Sequence, residues 1–306
     1  MLRLALISPW DMGIDGLRKE LSSCCARLRD VELTVVGPTW EAVSQNHPES
    51  FDAVIICSPI EHDSDVIAKC VRARKHLLLT SSVLQSIQDL DQLVSQCREA
   101  DVRLMIGDTI RFQPSISSVN VAVKSGHLGV PALLRSHAWH PADPNPHVPS
   151  SSLLFQQLDL TQWIFETLPT EIYAVAHRLH QDTLQIHFGF PNGAMGLITI
   201  SESLPEGDRY CSCSVIGSTG AAYADDHRQM QLVYQPNGIR ANRTEEGLLA
   251  RVEELREFTD AVFHHREPSV SATDARRVMI MMEAVSRSIQ SRQPLRLEGG
   301  NYVSVG

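Results

Sequence analysis

The chain has 306 residues, 43% of them hydrophobic and 21% charged, the composition of a folded globular protein rather than a disordered or fibrous one. That length exceeds one typical domain and predicts two. The formal net charge of -9, without a basic cluster, excludes a phosphate-tracking nucleic-acid binder, and no apolar run of about 18 residues is present to span a bilayer.

In chain order, Leu2–Ile7 is a short apolar run that reads as a first strand; it is too short, and lacks a small-residue cleavage site, for a signal peptide. A helical period follows over 14–28, then a β-branched strand over 31–36 that Gly37-Pro38 ends. Residues 51–57 (FDAVIIC) form a continuously apolar strand, the pattern of a parallel sheet covered on both faces. A helix over 63–74, a strand over 76–79, a helix over 89–100 and a strand over 102–106 complete the alternation. Strands and helices at this spacing predict a Rossmann-type, doubly wound parallel α/β sheet.

The second half reads differently. A strand over 133–139 leads into a Pro-rich stretch, Pro141 to Pro146, and a helix covers 159–165. Residues 171–201 and 211–234 alternate between apolar and polar. Turns at Pro191-Asn192-Gly193 and Pro236-Asn237-Gly238 break that alternation. This predicts a large, mostly antiparallel sheet with one exposed face. Helical periods return over 245–263 and 273–291. The expected architecture is therefore α/β plus α+β, with domains at 1–115 and 116–306.

The seven cysteines, Cys24, Cys25, Cys57, Cys70, Cys97, Cys211 and Cys213, have no metal-site spacing. They read as buried, reduced thiols of a cytoplasmic protein. His137 and His140 do not share a face of a regular strand, and no metal is expected there.

Several landmarks together resemble the Gfo/Idh/MocA family of sugar and inositol dehydrogenases. They are Asp52 to Ile56 with Ser58-Pro59, Lys75 to Leu78, Gly107 with Arg111-Phe112-Gln113-Pro114, and Ser125-Gly126-His127-Leu128-Gly129. Asp159-Leu160-Thr161-Gln162-Trp163, Phe190 to Ala194 and Gly217-Ser218-Thr219-Gly220 continue the family order. The resemblance implies NAD or NADP as cofactor, a carbohydrate-like ligand, and homo-oligomers formed through the C-terminal sheet.

It also implies cofactor-binding positions, and there the sequence departs from the family. The glycine loop reads Ser8-Pro9-Trp10-Asp11-Met12-Gly13, with only Gly13 where the fingerprint wants a glycine. Ser8 and Trp10 hold the other two places, where bare backbone would meet a pyrophosphate. The second strand ends at Val36-Gly37-Pro38-Thr39, without the acid that would hold a ribose. Ser58, Pro59, Thr80 and Ser81 are the remaining candidate cofactor contacts.

The family's E-K-P loop corresponds to Thr80-Ser81-Ser82, which supplies no ammonium to steady a developing alkoxide. The family's His, three residues before the Asp of the D-x-x-x-W helix, corresponds to Gln156, so Asp159 stands beside an amide that cannot accept a proton. His140, Gln156 and Asp159 are the candidate catalytic or ligand-contact residues, His140 as a relocated base. Arg111 is expected to organise structure through its fixed fork of donors rather than to catalyse. Three functions stay open: a repurposed family member that binds a sugar-like ligand or partner subunit, an active oxidoreductase with an atypical cofactor loop and relocated base, and a structural oligomerisation module.

Overall fold

The computed structural model describes residues 1–8, 14–44, 48–57, 63–80, 86–107, 109–141, 151–177, 183–204, 210–225, 230–235, 238–243 and 247–304. In chain order the first elements are β1 (Leu2–Ile7), α1 (Ile14–Cys25), β2 (Val31–Gly37), α2 (Trp40–Ser44), β3 (Ala53–Ile56) and α3 (Asp63–Arg72). Then come β4 (His76–Leu79), α4 (Ile87–Glu99), β5 (Leu104–Ile106), a 3-10 turn (Thr109–Phe112), α5 (Pro114–Lys124), β6 (Pro131–Pro141) and α6 (Ser151–Phe165). Strands β7 (Glu171–Ala176), β8 (Thr183–Gly189), β9 (Met195–Leu204), β10 (Tyr210–Gly217), β11 (Ala221–Asp225), β12 (Met230–Gln235) and β13 (Gly238–Arg243) follow. The chain closes with α7 (Gly247–Phe263), α8 (Ala272–Ser291), β14 (Leu295–Glu298) and β15 (Asn301–Ser304).

These elements divide into two units. Met1–Phe112 and Gly247–Arg276 form the first, and Gln113–Glu246 with Arg277–Gly306 form the second. The expected second domain, 116–306, differs from what is observed, because Gly247–Arg276 returns to the first unit.

The reason lies in the first sheet. Its order is β2-β1-β3-β4-β5, with every pair parallel. Such a sheet must be covered on both faces. On one face Leu4, Leu6, Ala53, Ile55, Leu78 and Met105 join a core with Leu21, Cys24 and Cys25 of α1. Of the helices before residue 112, only α1 contributes to that core, and one helix is too narrow to cover five strands. Val252, Leu255, Phe258 and Val262 of α7 supply the missing cover. Each such side chain contributes about 1.5–3 kcal/mol when fully buried.

Helix α4 begins two residues earlier than expected because Ser86 caps it. The Ser86 Oγ accepts from the Asp89 amide at 3.1 Å and donates to Asp89 Oδ2 at 2.6 Å.

The second unit holds a ten-stranded sheet in the order β13-β12-β11-β10-β6-β9-β8-β7-β14-β15. It is antiparallel throughout except where β6 lies parallel to β9. Ile172, Ala174, Leu184, Ile186, Ile198, Ile200, Leu134 and Ala138 are buried on one face, while Tyr173, Val175, Met195 and Ile216 are exposed at alternate positions. Four elements depart from expectation, β14 and β15 among them as edge strands that the sequence reading did not single out. Helix α6 starts at Ser151 rather than 159, because Leu153, Leu154, Phe155 and Leu158 already bury at helical spacing. Residues 114–124, read only as a boundary, form α5, with Pro114 at a first-turn position that needs no amide donor.

Two of the sequence landmarks prove to be one packing unit. The Thr219 amide donates to Leu128 O at 3.1 Å, and the Val130 amide to Ser218 Oγ at 3.0 Å. A Cβ on Gly217 would stand 2.0 Å from Leu128 O, and one on Gly129 (φ +69) would stand 2.2 Å from Ser218 Oγ. Each turn requires a glycine because the other turn presses against its backbone.

Candidate functional site

In the first unit the strand order reverses between β1 and β3. The crevice outside the carboxyl ends of those strands is where open α/β sheets bind ligands. The described rim is a continuous ladder: the Ser8 amide donates to Gly37 O (3.1 Å), the Cys57 amide to Ile7 O (3.0 Å), the Thr80 amide to Ile56 O (3.1 Å) and the Gly107 amide to Leu79 O (3.1 Å). Ser8 and Thr80 thus stand at the carboxyl ends of β1 and β4. Trp10, Asp11, Met12, Gly13, Ser58, Pro59 and Ser81 lie outside the described residues.

Ser8 is wholly buried at 0% exposure, and among the described residues its Oγ has no hydrogen-bond partner. An unsatisfied buried hydroxyl costs about 1–3 kcal/mol. Strand alternation fixes its direction. Leu2, Leu4 and Leu6 point into the α1/α7 core, so Ser8 falls on the same face. On β3, Ala53 and Ile55 point into that core and Cys57 packs against it. Since Ile7 pairs with Ile56, the next positions, Ser8 and Cys57, are neighbours on one face.

A charged group lies on this face too. Arg251 Nη1 in α7 donates to Glu254 Oε2 at 2.6 Å, and its Nε is 3.5 Å from Glu20 Oε1 in α1. Glu254 is buried, so Arg251 keeps its carboxylate from standing alone in the core. Burial works against the guanidinium charge, but Glu254, the Cys57 thiol and Glu20 outweigh it and hold Arg251 above its usual range.

The other candidates belong to the second unit. His140 lies in β6, half-buried and on the opposite face from His137. In α6, Gln156 is half-buried and Asp159 is 3% exposed, with Gln162 Nε2 at 3.4 Å from its Oδ1. One helical turn puts Gln156 and Asp159 on the same side of α6. Gln157, passed over in the sequence, is the more deeply buried amide: its Oε1 is 2.6 Å from Ser136 Oγ, which is 3.1 Å from Ser212 O. Turning that amide over gives the relay Gln157 Nε2–H to Ser136 Oγ–H to Ser212 O, in which the single Ser136 hydroxyl proton has one acceptor. Gln157 therefore pins α6 to the sheet.

Among the described residues no three His, Cys, Asp or Glu side chains gather to hold a metal, and no helix is long and apolar enough to cross a membrane. Sequence reasoning also missed Cys57, Arg251 and Glu254. The signal for the last two was two charges at i, i+3 within the buried stripe of a helix.

The comparisons accord with this geometry. A model of the GFO/IDH/MocA C-terminal domain matches residues 117–223. The chain is 26% identical over 268 residues to the myo-inositol 2-dehydrogenase of Thermotoga maritima, which spans 81% of this chain and 80% of that one. The chain is thus similar to Gfo/Idh/MocA proteins, through the C-terminal domain model and through relatives that match most of its length. Solved structures share the fold. An oxidoreductase from Agrobacterium radiobacter, solved with NAD+, L-tartaric acid and magnesium, superposes with a TM-score of 0.82 at 16% identity, over 96% of this chain and 98% of that one. The aldose-aldose oxidoreductase of Caulobacter crescentus, complexed with glycerol, gives 0.78 at 17% identity, over 97% and 99%. The shared fold comprises the parallel sheet and the large mixed sheet.

Proposed function

We propose that this is a divergent Gfo/Idh/MocA oxidoreductase-like protein with lost or much reduced dehydrogenase activity, which binds a carbohydrate-like ligand or a partner subunit. The observation that carries this reading is Ser8. A dinucleotide crevice needs bare backbone at the end of β1, and this chain instead buries a side chain there with an unpartnered hydroxyl. A nicotinamide dinucleotide held in the usual way does not fit that residue, and no hydride step is derived from it. Gln156 supports the same reading, because an amide can hold a sugar hydroxyl and cannot take its proton.

A second reading, an active NAD- or NADP-dependent oxidoreductase on a sugar-related alcohol with a relocated acid–base group, draws on the relatives. One is named as an inositol dehydrogenase and another was solved with NAD+. Asp159 and His140 are the candidates for its polar contacts.

The open face of the large sheet, with Tyr173, Val175, Met195 and Ile216 exposed, suits a homo-oligomeric interface. The seven free cysteines suit a reducing, cytoplasmic setting.

Calorimetric titration with NAD and NADP, beside thermal-shift measurements with inositols and aldoses, separates the readings. No nucleotide binding with sugar-induced stabilisation is the expected result. Micromolar binding of either nucleotide would overturn the reading of the glycine loop and favour the second reading instead.

A further inference from the structure

We propose that the groove between α3 and α4 binds a short aliphatic zwitterion, a molecule with a carboxylate at one end and an ammonium at the other. The site stands apart from the nucleotide crevice and holds under either reading of it. Helix α3 ends at Arg72, just before β4 begins at His76, and α4 ends at Glu99, just before β5 begins at Leu104. Both helices therefore finish at the amino edge of the first sheet, while ligands of open α/β sheets bind at the carboxyl edge.

Between these helix ends lies a cavity of about 420 Å³, within the size range of small-molecule sites. Val71, which is buried, and Ala100 give it apolar surface. Arg72 and Arg74 line it from the end of α3, and Gln96 and Glu99 line it from α4.

The two guanidiniums are free for a ligand. Basic side chains at a helix C-terminus often hydrogen-bond the last carbonyls. Here backbone amides already hold those carbonyls: Ala73 donates to Lys69 O at 3.0 Å, Lys75 to Cys70 O at 3.0 Å and Arg74 to Val71 O at 2.8 Å. This closure holds Arg74 at φ +54, so its position beyond the helix is fixed by the backbone. The nearby lysines are engaged elsewhere, Lys69 with Glu41 and Lys75 with Phe51 O. Among the described residues, Arg72 and Arg74 have no side-chain hydrogen bond or ion pair.

Glu99 accepts from Ser95 Oγ, on its own helix, at 3.1 Å. Neither arginine pairs with it, although all three line one cavity. Positive charge on one side and negative charge on the other thus face a gap that no side chain bridges. A zwitterion of matching polarity closes it. Its carboxylate accepts from the guanidinium forks of Arg72 and Arg74, and its ammonium donates to Glu99 and to the Gln96 carbonyl. The methylenes between its ends cover Val71 and Ala100.

Calorimetric titration of the full chain with 6-aminohexanoate, beside hexanoate and hexylamine, provides the test. The zwitterion should bind at one site with a Kd of about 1 mM or tighter, and each single-ended analogue should bind roughly tenfold more weakly. Arg72→Gln combined with Arg74→Gly, which keeps the left-handed turn, should weaken the zwitterion by roughly tenfold. Glu99→Gln should weaken the zwitterion and leave hexanoate unchanged. Absence of saturable 6-aminohexanoate binding would overturn the proposal, as would binding that the arginine variant leaves unaltered. Equal affinities for 6-aminohexanoate and hexanoate would remove Glu99 from the site and overturn the assignment of a zwitterion.

Discussion

Arg111 and Asp274, 163 residues apart, meet in the first unit, with Arg111 Nη1 at 3.2 Å from Asp274 Oδ2. Arg111 is 5% exposed. Asp274 serves a second purpose: its amide donates to Ser271 Oγ at 3.2 Å while the Ser271 amide reaches its Oδ2 at 3.4 Å, a capping box that starts α8. One carboxylate thus neutralises a buried guanidinium and sets a helix terminus. Arg111→Ala should destabilise the protein by about 3–5 kcal/mol, because it leaves Asp274 without its buried counter-charge. In a double-mutant cycle read by denaturant midpoints, Arg111→Ala with Asp274→Asn should cost less than the sum of the two. Strict additivity would mean the pair is not coupled.

Phe258 on α7 is fully buried against the first sheet. Its replacement by Ala should cost about 3–5 kcal/mol, visible as a lowered melting temperature. A fragment limited to residues 1–115 should expose one face of that sheet and fail to unfold cooperatively. A sharp transition from that fragment would show that α7 is dispensable to the first unit.

His76 makes part of the stability pH-dependent. Burial, then the Arg103 charge, holds its pKa below the usual histidine value, and its Nδ1 accepts the Arg103 amide at 3.0 Å. The unfolded chain therefore binds a proton more readily than the folded one. This contribution is fully present above the ordinary pKa of about 6.5, and it is lost as pH falls from there through the depressed folded value. His137, also lowered by burial and Arg135, acts in the same sense. His76→Asn retains an acceptor and abolishes the titration, so the acid limb of a stability–pH curve should become shallower. An identical limb in the variant would exclude His76 as its source.

Restoring glycines to the first loop tests the proposed blockage. Trp10→Gly, alone and with Ser8→Gly, should tighten nucleotide binding by about tenfold or more, equivalent to roughly 1.4 kcal/mol. Unchanged or weaker binding by calorimetry would count against a steric cause.

Much of the architecture was legible in the sequence. The bounds of β1 and β4 follow from apolar runs between breakers, and the unbroken apolar stretch at Ala53–Ile56 marks a strand buried on both faces. The landmarks at 125–129 and 217–220 formed part of the resemblance to the Gfo/Idh/MocA family, although their spacing did not reveal that each presses on the other. Ser8, Gln156 and Asp159 stood out in the sequence as candidates by residue type alone. The buried ion pair of Arg251 with Glu254 and the contact of Arg251 with Glu20 of α1 did not, because nothing in the local sequence names the residues of another helix that approach them.

By itself the sequence determined most of the strands and helices and which side of each is apolar, since both follow from local periodicity. Only the tertiary structure decided which surface each face buries: α7 on the first sheet rather than the second, β6 parallel to β9, six thiols inward and Cys57 at the rim. Periodicity says that a face must be covered. What covers it depends on contacts between residues far apart in the chain, such as Arg111 and Asp274, and those leave no local pattern.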